Sequence, residues 1–94
     1  MGMVSLYHFS RYQGRVTPEA EVAREFQARL TAADIDWQEE ATGRGWQDCE
    51  YTVADPESPS GRRTCLDAVC GFVISVPDAD AGRARQILAE LTGA

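Results

Sequence analysis

Arg11, Gly14, Arg15 and Thr17 fall within a short stretch, ahead of the strongest helix start in the chain. A helix N-terminus presents N–H groups that lack intrahelical partners, and these favour anions. Two guanidinium groups beside it can clamp a carboxylate or a phosphate. The spacing matches no phosphate-loop motif, and a solvated connector accounts for the same residues. Arg11, Gly14, Arg15 and Thr17 are therefore the expected binding residues, and a small anion the expected ligand.

Other residues carry weaker chemical signals. His8 is the only imidazole, and no nucleophile or orienting carboxylate accompanies it in the sequence. Cys49, Cys65 and Cys70 lack the short paired spacing of a structural zinc site. On an extended strand Cys65 and Cys70 point to opposite faces, so small buried hydrophobes are the simpler reading. No metal and no cofactor are expected, and no catalytic residue is assigned. Glu39, Glu40, Asp48 and Glu50 are expected on two adjacent strands, as a solvated acidic face. Trp37 and Trp46 flank the Gly43–Gly45 segment and can either wall a ligand site or pack in the core.

Composition narrows the classes further. The 94-residue chain is read as one domain, with 44% hydrophobic and 26% charged residues. Its net charge of −6 argues against a nucleic-acid partner, since phosphate binding needs a basic surface. All nine basic residues are Arg, and Asn is absent too, as in coding from a GC-rich bacterial genome. Without Lys there is no Schiff-base or P-loop lysine. No apolar run is long enough for a membrane span, so no membrane partner is expected. Three Cys without an export signal lead to the expectation of a reducing cytoplasm.

The elements that would position these residues follow from pattern. Residues 3–9 read as a first strand, with Val4, Leu6 and His8 on one face and Ser5, Tyr7 and Phe9 on the other. Thr17-Pro18-Glu19 is a helix start, and Val22, Ala23, Phe26, Leu30 and Ala33 form one face of that helix. Residues 35–40 read as a second strand, 42–45 as a turn and 46–54 as a third strand. Residues 55–61 hold two Pro, two Ser and a Gly and read as a mobile loop.

From Thr64 alternation runs to Val76, with a bulge or break expected near Gly71; residues 65–69 fit a strand or a helical turn. Pro77 ends the strand and Asp78 is the expected cap of a last helix, which Gly93 closes. The order is β-α-β-β-β-α. It predicts a two-layer α+β, ferredoxin-like plait: a four-stranded sheet with two helices on one face. Tyr7 and Phe9 would then lie on the bare face, and a homodimer is expected to cover them.

Val76-Pro77-Asp78-Ala79-Asp80-Ala81-Gly82-Arg83-Ala84, running on to Ile87-Leu88, resembles the closing strand and helix of a small bacterial family of signal-transducing proteins. Pro18-Glu19-Ala20-Glu21 through Leu30, then Ala33-Asp34-Ile35-Asp36, is similar to that family's first helix and next strand. The likeness covers about half the chain, and the family usually has Gly where Asp34 stands. The family is related in fold to the PII nitrogen regulators. The resemblance implies a non-enzymatic regulatory or ligand-sensing module and brings no catalytic residues. Two other readings stand beside it. One is a small dimeric α/β-barrel enzyme acting on an aromatic or apolar molecule. The other is an acidic inhibitor or accessory protein that binds a basic protein.

Overall fold

The computed structural model describes residues 2–93. Three strands, β1 (Met3–Tyr12), β2 (Gln38–Ala54) and β3 (Arg62–Pro77), accompany two helices, α1 (Pro18–Ala32) and α2 (Ala81–Thr92). β3 lies in the middle and pairs antiparallel with both others, in the order β1-β3-β2. β1 and β2 therefore run parallel to each other with β3 between them.

This corrects the expected four-stranded plait: the sheet has three antiparallel strands, and the order of elements is β-α-β-β-α. The cause lies at residues 42–46. Thr42 pairs with Gly71 and Gln47 with Val69, so the residues between them bulge out of a strand that keeps its direction. Gly43 and Gly45 take positive φ of 64° and 77°, which serves a bulge as well as a turn. The two strands read at 35–40 and 46–54 are one element. Ile35 is not part of it; it is buried in the connection after α1.

The true hairpin turn is the stretch read as a mobile loop. Asp55 N–H donates to the Gly61 carbonyl at 2.8 Å and Gly61 N–H to the Ser58 carbonyl at 2.9 Å. β3 itself runs unbroken through Gly71, the irregularity at that point lying on β2 opposite Cys70, and residues 65–69 are strand. Beyond Tyr12, β2 and β3 continue alone as a two-stranded arm, from Asp48↔Ala68 to Ala54↔Arg62. The arm makes the molecule long, 56 × 29 × 19 Å, with a radius of gyration of 16.7 Å. A compact chain of this length would have about 12 Å.

A second bulge decides which side chains face the helices. Ser5 pairs with Ser75 but Tyr7 with Ile74, so Leu6 is an extra residue on β1. The insertion reverses the side-chain alternation after it. Val4 and Phe9 both reach the core, and Tyr7 meets Phe26 edge-on with ring centroids 6.5 Å apart. Tyr7 and Phe9 are thus not on the bare face, and the packing that led to the expected homodimer is directed inward.

The helices are set by local chemistry. Thr17 caps α1 through its hydroxyl, which accepts from Ala20 N–H at 3.4 Å, and Pro18 occupies the first turn. At the other end Ile35 N–H donates to the Leu30 carbonyl and Asp34 N–H to that of Thr31, at 2.9 and 3.1 Å. This Schellman closure buries Ile35 and Leu30 and sets Asp34 at φ 59°. Asp78 does not cap α2; a 3-10 turn, Asp78–Asp80, comes first, and α2 ends at Gly93 with φ 74°.

Phe26, Leu30, Ile74 and Val76 are fully buried at the centre, joined by Phe9, Ala23, Ala81 and Ala84. Truncating Phe26 to Ala would cost about 3–5 kcal/mol. No helix among the described residues is long and apolar enough to cross a membrane.

Candidate functional site

The β1–α1 connection turns the chain from the sheet into the helix and leaves a cleft of about 160 Å³. Arg11, Tyr12, Arg15, Val16, Glu21 and Arg24 are among the residues that line it. Arg11 and Arg15, two of the expected binding residues, both line it. Gly14 and Thr17 do not line it.

Arg11 is already engaged. Its guanidinium contacts the Glu39 carboxylate, which also accepts from the Gln27 side-chain amide. The same guanidinium lies 4.8 Å from the Phe9 ring centre and 5.5 Å from that of Phe72. Its charge is thus partly compensated, and its removal would leave a half-buried Glu39 without its cation. Arg11 lies on β1, and its charge is already paired.

Arg15 is held by aromatics. Its guanidinium carbon is 4.2 Å from the ring centre of Tyr12 and 4.4 Å from that of Tyr51. Stacking engages the face of a guanidinium and leaves its N–H edge able to donate. Among the described residues, neither Arg15 nor Arg24 lies within salt-bridge reach of a carboxylate.

Gly14 has a structural task. Its N–H donates to both Asp67 carboxylate oxygens, at 2.9 and 3.0 Å, and Ala68 N–H donates to Oδ1 at 2.9 Å. A Cβ on Gly14 would come within 2.9 Å of that carboxylate. Thr17 spends its hydroxyl on the helix cap. Both residues therefore hold the loop that presents Arg15, rather than facing the cleft.

Arg24 and Tyr51 were missed. Arg24 follows Thr17 by two helical turns, so helical periodicity alone placed it on the side of the helix start. Tyr51 comes from the arm, and no local signal joins it to the loop.

The other candidates scatter. His8 is exposed and pairs in register with Val73. Cys70 is buried, while Cys49 and Cys65 are half-buried on the arm. Glu39, Glu40, Asp48 and Glu50 share one strand instead of facing each other across two. Trp37 donates its indole N–H to the Thr31 hydroxyl at 2.9 Å, whereas Trp46 meets Phe72 edge-on. Among the described residues, no group of three or more His, Cys, Asp or Glu is placed to hold a metal ion. The space between sheet and helices, where an apolar substrate would sit, is filled by Phe26, Leu30 and Ile74.

The titration of Tyr7 is shifted. Burial, and secondarily the Glu19 charge, raise its pKa above the usual 10.0. Its hydroxyl donates to the Glu19 carbonyl at 3.1 Å.

The chain matches no protein-family model, no curated protein and no solved structure.

Proposed function

We propose that the protein is a non-enzymatic binding module whose ligand is a small anion held in the cleft between β1 and α1. One observation carries this reading. Three guanidinium groups line a single small cleft, and two of them, Arg15 and Arg24, have no carboxylate partner among the described residues. Charge-assisted hydrogen bonds from guanidinium to carboxylate or phosphate are the strong polar contacts available to such a site. The family resemblance adds the role: the module senses its ligand and regulates a partner.

A thermal-shift screen with inorganic phosphate, nucleotides and small carboxylates tests the reading. A ligand at a hundred times its Kd adds about 2.7 kcal/mol, so a real site gives a clear rise in melting temperature. Arg15→Ala and Arg24→Ala are each expected to abolish the rise relative to their own baselines. If no anion stabilises the wild type, or if both variants respond as it does, the cleft is a connector.

A second reading follows from the arm. Asp48, Glu50, Asp55 and Glu57 outnumber Arg62 and Arg63 on it, which suits a basic protein partner. Replacement of Asp48 and Glu50 by Lys would then abolish capture of that partner and leave the anion response intact.

A further inference from the structure

The sheet has two open edges, and they are built differently. The β2 edge carries Glu39, Glu40, Arg44, Asp48 and Glu50. Charged side chains along an edge keep other strands away. The β1 edge has no such guard: from Met3 to Ser10 it contains no charged residue, no Pro and no Gly. Its one irregularity is the Leu6 bulge.

The helices make the same edge apolar. α2 packs against β1 and α1, while α1 reaches β2 through the Gln27–Glu39 hydrogen bond. Leu6, Ile87, Leu88 and Leu91 border the core yet stay half exposed. The exposed surface is also large for the mass. It amounts to 6294 Å² for a 10.3 kDa chain. Folded monomers of this mass expose about 5,400 Å², and one partner's share of a stable interface is about 800 Å². The extended two-stranded arm carries part of that surplus, and the open β1 edge is left for a partner to cover. The area does not select the surface; the uncharged edge does.

We propose that β1 pairs antiparallel with β1 of a second copy across a twofold axis, joining two three-stranded sheets into one of six strands. A second copy is the occupant because it brings an identical uncharged edge and closes both edges in one isologous contact. The net charge of −6 on each copy opposes the pairing at long range. Salt screens that repulsion, so the dimer tightens as ionic strength rises. An interface built on opposite charges would loosen instead. This inference does not depend on the anion cleft.

Sedimentation equilibrium of the full chain, up to about 500 µM, tests it, because dimer population follows protomer concentration. The expected species has twice the 10.3 kDa chain mass. Ser5→Lys with His8→Lys puts like charges on both facing edges and is expected to halve the mass. Glu40→Lys with Asp48→Lys on the β2 edge is the control and leaves the dimer whole. Amide hydrogen exchange provides a readout that needs no variant. β1 amides are protected in concentrated wild-type protein and lose protection on dilution, while β2 edge amides do not change. A wild-type monomer at the highest concentration overturns the proposal. So does a dimer that survives the β1 substitutions, or one that the β2 substitutions dissociate.

Discussion

The Gly14 amide donates to both carboxylate oxygens of Asp67, across 53 positions of sequence. This contact ties the β1–α1 loop to the root of the arm. Asp67 is buried and also accepts from Ala68 N–H. Asp67→Ala strands two donors at once and is expected to cost about 1–3 kcal/mol. Asp67→Asn keeps a carbonyl acceptor and costs less. Gly14→Ala crowds the same carboxylate, so the double variant Gly14→Ala/Asp67→Ala should cost less than the two singles together. Urea denaturation of the four proteins measures this. Additive losses would mean that the two residues act independently.

The start of α1 and the end of α2 were legible because their chemistry is local. Thr17 and Pro18 start α1, and Gly93 stops α2, without reference to any other part of the chain. The strands were legible as apolar alternation but not as a sheet. Leu6 and residues 43–46 are bulges only in relation to the partner strand, and a glycine pair that permits a turn permits a bulge equally. Each bulge misdirected one inference: the first put Tyr7 and Phe9 on the bare face, and the second produced a fourth strand. The cleft was half legible for the same reason. Arg11 and Arg15 are neighbours of the helix start, whereas Glu39 and Tyr51 arrive by tertiary pairing.

Asp34 stands at a left-handed position in the closure of α1. Side chains other than that of Gly are disfavoured there, Asp less than most. Asp34→Gly relieves the backbone and loosens the unfolded chain, with a net gain of about 0.5–1 kcal/mol. Calorimetry should show a melting temperature higher by roughly 2–8 °C. Asp34→Val should lower it. An unchanged or lower value for the Gly variant would show that the Asp side chain contributes more than its backbone costs.

Arg15 joins the cleft to the arm through Tyr51. A double-mutant cycle with Arg15→Ala and Tyr51→Ala should return a coupling of about 0.5–1 kcal/mol. Tyr51→Phe keeps the ring and should keep the coupling. A cycle that closes to zero would mean that the stack adds nothing to stability.

Tyr7 gives the fold an alkaline limit. Its pKa is raised above 10.0 in the folded protein by burial and, secondarily, by Glu19. Below about pH 10 both states hold the proton and the group does not affect the pH dependence. Above it the unfolded chain releases the proton while the folded chain retains it. The unfolded state then binds fewer protons, and stability falls as pH rises until the folded tyrosine ionises as well. Tyr7→Phe removes this slope. It also removes the hydroxyl that donates to the Glu19 carbonyl, so it loses about 0.5–1.5 kcal/mol at neutral pH. The wild-type and variant stability curves, taken by urea titration from pH 7 to about pH 11, should therefore converge on the alkaline side. Parallel curves would mean that Tyr7 ionises at its ordinary value in the folded protein.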